Sequence, residues 1–492
     1  MKTNVLSLFT LAGALALTAA CASEDTTNKQ EQQQETKGLT AFVVEDNATR
    51  TTGDYDGSGL NFYWTEGDRL WVNNGTLIQD ASNTISDVLT NNTTTPGAVK
   101  RAAKASFSFE GTFTAQNYPV RYTGKGSTVG DKVTIKAAQT QTVPNDAAHI
   151  GEDGDCGTAT ATRPTGSNQY KFTLTHKASY ITFVPYSTFN FSGAVMLRQV
   201  KITADEALSG QFNFTDAGID LASRPAPTPA NRSITLTLGG IYSGKIVGFG
   251  IPVVVTPKYD AAVMVIPPGT YHNVSIEYTL YDSNTEVYAT IKKEYPTLTF
   301  TAGKNKKIST DLKLMKVLII PMGGFLEGHG PNTNETMWYI HRGDPHWDPT
   351  PIYAARRSPT MPASICSGGI WIKKKANIPG FSGTKAPNGV NYIAYESGMG
   401  MVSRVNNYAI SLPKGIPANI NDYYFMPSVL PYGSTEVTSK GGAFRYWMGT
   451  RCALGWDLGQ VFASDVPPAI SSPNIGIGCG YRSSIMAYWD AQ

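Results

Sequence analysis

The stretches Tyr170-Lys171-Phe172-Thr173-Leu174 and Tyr180-Ile181-Thr182-Phe183-Val184-Pro185 decide the fold class of this chain. In the first, apolar side chains at 170, 172 and 174 alternate with polar ones, the period of a strand with one face buried. The second is a β-branched and aromatic run that ends on proline. Working outward, strand signatures recur at Leu39–Val44, Asn61–Trp64, Leu70–Val72, Ser106–Phe113 and Lys132–Lys136. They continue through Gln199–Thr203, Ser233–Leu238, Ala262–Ile266, Asn273–Tyr281 and Val287–Lys292. Gly, Asn, Asp and Pro break these runs, and hardly a ten-residue helical period lies among them. The pattern predicts an all-β protein made of β-sandwiches. Residues 39–316 are too many for one sandwich and suit two, 39–187 and 188–316, with a boundary near Ser187 to Val195.

Composition points the same way. Gly 48, Pro 29 and Tyr 25, together with runs of Thr, Val and Ile, suit short strands joined by tight turns. The 492 residues are enough for two to four domains with real cores. Charged residues make up 16% and the net charge is +3, with Lys and Arg scattered, so nothing calls for a nucleic-acid partner.

The N-terminus is not a fold element. Lys2 precedes an apolar, small-residue run from Val5 to Ala20, too short for a membrane span, which reads as a secretory leader over 1–20. Residues 21–38 then run in Gln, Glu and Thr without an aromatic. Such a segment cannot bury enough surface to fold, and it is expected to be a flexible tether. Beyond Cys21 four cysteines remain, Cys156, Cys366, Cys452 and Cys479, in a chain bound for an oxidising compartment. Three pairings are open, and no C-x-x-C spacing points to zinc. No nucleophile elbow, phosphate loop or H-E-x-x-H occurs, so the expectation is a non-enzyme without cofactor or metal.

After Lys316 the character changes. Six of the eight Trp and three of the five Cys fall in the last 176 residues, among Gly-, Pro- and Asn-rich loops such as 323–335 and 380–390. Residues 317–492 are therefore expected to form a third domain whose loops carry function.

Several segments resemble known families. Leu17-Thr18-Ala19-Ala20 ahead of Cys21 resembles the lipobox of bacterial lipoproteins, which implies a diacylated Cys21 and an outer-membrane anchor. Glu24-Asp25 resembles the acidic export signal of surface-displayed lipoproteins. Ala48-Thr49-Arg50-Thr51-Thr52-Gly53, Phe62-Tyr63-Trp64 and Glu66-Gly67-Asp68-Arg69-Leu70-Trp71-Val72 resemble the opening of the fimbrillin family, the type V pilus subunits of Gram-negative gut and oral anaerobes. His149-Ile150, Gly154 to Ala159, Phe172 to Ala178, Val263 to Gly269 and Phe300 to Lys304 follow in the family's order. Tyr424 to Pro427, Phe444 to Thr450 and Gly478 to Ile485 resemble the C-type-lectin-like modules of some fimbrillin-like proteins.

The resemblance implies two tandem transthyretin- or immunoglobulin-like β-sandwiches followed by a C-type-lectin-like α+β domain. It also implies assembly with other fimbrial subunits by strand exchange, because a sandwich that loses its first strand exposes an apolar groove and unpaired backbone. Here that strand is Leu39 to Val44, with Leu39, Ala41, Phe42, Val43 and Val44 displaced after an arginine-specific protease cuts at Arg50. Arg69, inside a strand-like stretch, is the worse substrate. Met486 to Gln492 looks like the closing strand of the lectin-like domain, so the C-terminus has no strand to donate and a fibre-tip position is expected. The precursor would sit lipid-anchored on the outer membrane, and the mature form in the extracellular fimbria.

A tip adhesin would bind a host or bacterial glycan or protein. Trp447, Arg451, Trp456 and Asp457 are its candidate glycan contacts, and Cys452–Cys479 its candidate disulfide. Neither Glu-Pro-Asn nor Gln-Pro-Asp occurs, so no calcium site is expected. A free-standing surface glycan-binding lipoprotein is the alternative, and an enzyme built on the lectin-like domain ranks third. Arg342-Gly343-Asp344 and the group His341, Asp344, His346 and Asp348 are read as surface polar residues, without integrin-binding or metal-binding roles.

Overall fold

A computed structural model describes residues 38–45, 52–90, 100–239, 241–242, 245–246, 248–256, 260–318, 342–356, 361–382, 385, 389, 412–428, 430–432, 436–438, 444–451, 458–464 and 475–481. The described chain is nearly all strand; its one α-helical segment there is the single turn Ile150–Asp153. Each of the twelve strands expected from the sequence overlaps an observed one. Among the described residues, no helix is long and apolar enough to cross a membrane.

Two hydrophobic cores organise residues 40–312. The first is enclosed by one nine-stranded sheet. Its order is Leu77–Gln79, Trp71–Asn73, Asn117–Tyr122, Gly157–Thr162, Tyr170–Phe172, Leu39–Val44, Ser106–Glu110 and Ser82–Asn83, with Thr175–His176 paired beside Gly157–Thr162. Inward residues from along the whole sheet, Val72, Val120, Tyr170, Phe42 and Phe107 among them, meet in one cluster, so the sheet curls on itself. Glu66-Gly67-Asp68-Arg69-Leu70 sets its turn. The buried Asp68 carboxylate accepts from Thr65 N (2.8 Å) and from Tyr122 Oη (2.8 Å), while Leu70 fills the core.

In the second core a five-stranded sheet faces a three-stranded one. The larger runs Ala138–Gln141, Ser233–Leu238, Val195–Thr203, Gly269–Asp282, Val287–Phe300; the smaller runs Ala262–Ile266, Ser179–Tyr186, Asn305–Asp311. Phe183 meets Tyr278 edge-on at 6.1 Å, and Tyr278 Oη reaches Thr310 Oγ1 at 2.8 Å, tying one layer to the other. Side chains finish the edge of Ala262–Ile266. Gln141 Oε1 accepts from Val263 N (2.7 Å), Gln139 Oε1 from Val265 N (3.0 Å), and His149 Nε2 donates to Val263 O (3.0 Å). These three side chains do there what a neighbouring strand would otherwise do, so no row of unmet backbone groups is left.

The cores change over between Leu174, the last member of the first, and Ala178, an early member of the second in this stretch. At that seam Asp155, fully buried, receives Tyr180 Oη and lies 3.0 Å from His176 Nδ1. Phe62 stacks on the His176 ring at 3.8 Å. Burial and the Asp155 charge push the Tyr180 hydroxyl well up, and burial does the same to the Cys156 thiol, so both stay neutral.

Beyond residue 312, Met315–Leu318, His346–Arg356, Ser364–Lys373 and Tyr423–Pro427 form a four-stranded sheet. Asp282 Oδ2 accepts from Ile365 N (2.9 Å) and Thr285 donates to Ile365 O, while Ala354, Ala363 and Ile365 join the second core. This sheet is thus packed on the second core directly. The short ladders Leu430–Tyr432 with Glu436–Thr438, and Phe444–Arg451 with Leu458–Ser464 and Ile475–Tyr481, follow. Among the described residues after 318, strands and two 3-10 turns are the elements present.

The turn 149–153 makes stability pH-dependent in two opposite ways. Burial lowers the His149 pKa to about 4, with Nδ1 out of reach of water and unpartnered; burial also raises Asp153 to about 6 despite Lys136 Nζ at 3.2 Å. The depressed His149 contributes stability that is present above pH 6.5 and lost as pH falls toward 4, worth about 3 kcal/mol. The raised Asp153 contributes stability that is present below 3.8 and lost as pH rises through about 6, of similar size. His149→Gln removes the acid-side loss and leaves the Asp153 gain, so its stability should rise from pH 7 to 4.5 relative to wild type, and Asp153→Asn should stabilise the protein at pH 7, both read as urea midpoints at pH 7 and 4.5. Equal pH slopes for wild type and His149→Gln would refute the assignment.

Candidate functional site: the groove of the first strand

Leu39–Val44 is not an edge strand. It lies between Tyr170–Phe172 and Ser106–Glu110, parallel to the former with Phe42 opposite Tyr170, Val43 opposite Lys171 and Val44 opposite Phe172. Val44 N donates to Ala105 O (3.2 Å) on one side, and Glu45 N to Phe172 O (3.0 Å) on the other. Alternation sends Phe42 and Val44 inward, at 0% and 2% exposure, while Leu39, Ala41 and Val43 remain half-buried.

Phe42 is the hub of an aromatic cage. Its ring stacks on Tyr170 at 4.7 Å with planes 11° apart, and meets Phe109 at 4.9 Å and Phe113 at 5.3 Å edge-on. Tyr170 is fixed in turn by its hydroxyl, which donates to Ala115 O (2.6 Å), and Arg163 lies over its ring at 5.6 Å. At the end of the strand, Glu45 and Lys171 pair at 3.3 Å while largely exposed, which adds little. Taking the strand away would leave a slot floored by Tyr170, Phe109 and Phe113 with backbone groups unmet on both sides. Phe109, Phe113 and Tyr170 are the groove residues, a role that sequence reading did not assign to them. Their alternation marked them as core, but nothing local said which strand lay across them.

Arg50 and Cys21 lie outside the described residues. Arg69 is tied down: its Nε meets Asp80 Oδ2 at 3.0 Å and its guanidinium also donates to Asp80 O. Trp447 and Arg451 lie on the strand Phe444–Arg451, in register with Val461 and Gly459 across an irregularity. Cys479 lies on Ile475–Tyr481, opposite Gln460. Trp456, Asp457 and Cys452 fall outside the described residues, as does His341. Asp344 of the Arg-Gly-Asp tripeptide is engaged, accepting from Tyr423 Oη at 2.6 Å with His346 Nε2 at 3.4 Å. Asp348 is fully buried and accepts from Trp371 Nε1 (3.1 Å). Asp344 stays exposed at the surface, whereas Asp348 is closed to a ligand.

No family model matches the chain, and no curated protein matches it. Among solved structures it is similar to a candidate cell adhesion protein from Bacteroides ovatus, at 13% identity and TM-score 0.30, over 55% of this chain and 92% of that one. It is similar to a fimbrial assembly protein from Parabacteroides distasonis at 12% identity and TM-score 0.24, over 55% and 90%. A fimbrial protein from Bacteroides ovatus is similar at 10% identity and TM-score 0.23, over 92% and 98%. Likenesses at these scores bear no weight for the fold or activity of this chain.

The cage predicts an asymmetric cost along the strand. Phe42→Ala should destabilise the uncut protein by about 3–5 kcal/mol, whereas Val43→Ala, half-buried on the other face, should cost about 1 kcal/mol or less. Urea unfolding of the two variants measures the difference, and equal costs would mean that Phe42 is not the anchor.

Proposed function

We propose that this chain is an adhesive subunit of a bacterial surface fimbria, exported as a lipoprotein through Cys21 and opened by an arginine-specific protease at Arg50. Assembly is by strand exchange into the groove of Leu39–Val44. The carrying observation is the seat of that strand: an N-terminal strand, joined to the rest only through residues 45–51, occupies an interior sheet position and fills an aromatic cage. The strand's replacement must run parallel to Tyr170–Phe172 to restore the same ladder.

The position of Arg50 supports the processing step. A cut there parts Leu39–Val44 from Thr52–Tyr55, whose Tyr55 belongs to the other core. Arg69, pinned on Asp80, is a poor alternative. The domain division 39–187, 188–316 and 317–492, the tandem sandwiches, and the lectin-like third domain with Trp447, Arg451, Trp456, Asp457 and a Cys452–Cys479 disulfide belong to the same proposal. So does the tip position.

Digestion of the folded protein with an arginine-specific protease, read by intact mass, is expected to remove the segment ending at Arg50 and leave a stable remainder. That remainder should bind a synthetic Leu39–Val44 peptide. An intact chain after digestion counts against processing, and long fibres formed by the cleaved protein alone count against the tip position.

A further inference from the structure

On another face of the first half, loop 123–130 and the turn Ile150–Asp153 meet the paired strands Lys132–Ile135 and Gly210–Thr215 around a cavity of about 270 Å³. The cavity is built before any ligand arrives. Lys125 N donates to Gly151 O (2.7 Å), fastening loop to turn, and Thr123 Oγ1 donates to Val129 O (2.8 Å), closing the loop on itself. Part of the lining is bare backbone. Gly154 has φ +125°, and a Cβ there would stand 2.7 Å from Ile135 Cα, so this wall admits no side chain.

The remaining lining is polar and unequally charged. Lys125 Nζ meets Glu152 Oε1 at 3.3 Å with both side chains partly in water, a pair that holds weakly. Lys132 Nζ donates to Asn213 Oδ1, a neutral amide that leaves the charge uncompensated. Thr134 and Gln211 add an exposed hydroxyl and carboxamide. No aromatic ring lines the cavity, so stacking on a sugar face is not its means of recognition. Two ammonium groups against one carboxylate favour an anion; the carboxylate, hydroxyl and amide favour a ligand that also carries hydroxyls. The volume lies at the small end of ligand sites, room for one ring and not for a chain.

We propose that this cavity binds a single acidic sugar residue, its carboxylate on Lys132 and Lys125 and its hydroxyls on Glu152, Thr134 and Gln211. The site shares no residue with the first-strand groove, and it stands whether or not the chain assembles into a fibre.

The test is calorimetric titration of the full chain at low salt with sodium glucuronate, glucose and sodium sulfate. Glucuronate is expected to bind with a millimolar dissociation constant, and glucose and sulfate at least about tenfold more weakly. Lys125→Ala/Lys132→Ala should weaken glucuronate by at least about tenfold with an unchanged melting temperature. Lys132→Gln, which keeps a donor for Asn213, is measured beside it and decides the matter if the double variant does not fold. Glucose equal to glucuronate, sulfate equal to glucuronate, no saturable glucuronate binding, or an unchanged constant in the lysine variants each overturns the proposal.

Discussion

The buried carboxylate of Asp155 is the constraint on which the two halves of the molecule depend. It sits beside the chain's last passage from the first core, at Leu174, to the second, at Ala178, and its Oδ1 is met by His176 Nδ1 and Tyr180 Oη. A polar group taken wholly out of water needs such hydrogen-bond partners, and both of these meet the same oxygen, Oδ1. Its neighbours are constrained as tightly. Gly154 has no room for a Cβ against Ile135, and a Cβ on Gly157 would stand 2.8 Å from Leu174. Cys156 between them is fully buried, its thiol held neutral. The cluster Gly154-Asp155-Cys156-Gly157 is thus a packing device whose chemistry is spent on the fold.

The first strand obeys a different logic. It is well buried and paired on both sides, yet it is topologically peripheral, since everything it touches is held by other strands as well. Tyr170 keeps its bond to Ala115, and Phe109 and Phe113 keep each other at 6.4 Å. These contacts of the cage residues are made without Phe42. By contrast, the exposed Asn305–Asp311 edge of the small sheet carries Lys306 and Lys307, and Val287–Phe300 carries Lys292, Lys293 and Pro296. Charges and proline on an edge discourage unplanned pairing.

The region after residue 312 is anchored through Asp282 and Thr285 in the hairpin turn between Gly269–Asp282 and Val287–Phe300. Those side chains give the four-stranded sheet a fixed seat on the second core.

Strand content was legible in the sequence because period-two alternation is local: Tyr170, Phe172 and Leu174 declare an inward face without reference to any partner. Strands whose signal was not apolar were missed. Gly157–Thr162 alternates only Gly, Ala and Thr, Asn117–Tyr122 carries Pro119, and Asn305–Asp311 is mostly charged and polar. Pairing was not legible at all, since the partners of Leu39–Val44 lie more than sixty residues away and one of them runs parallel. The sequence by itself determined an all-β chain with an apolar first strand and an arginine shortly after it. Only the tertiary structure decided that this strand is interior, that Phe42 is its anchor, and that Asp155, Gln139 and Gln141 serve the fold, because burial and hydrogen-bond partners are set by residues far apart in the chain.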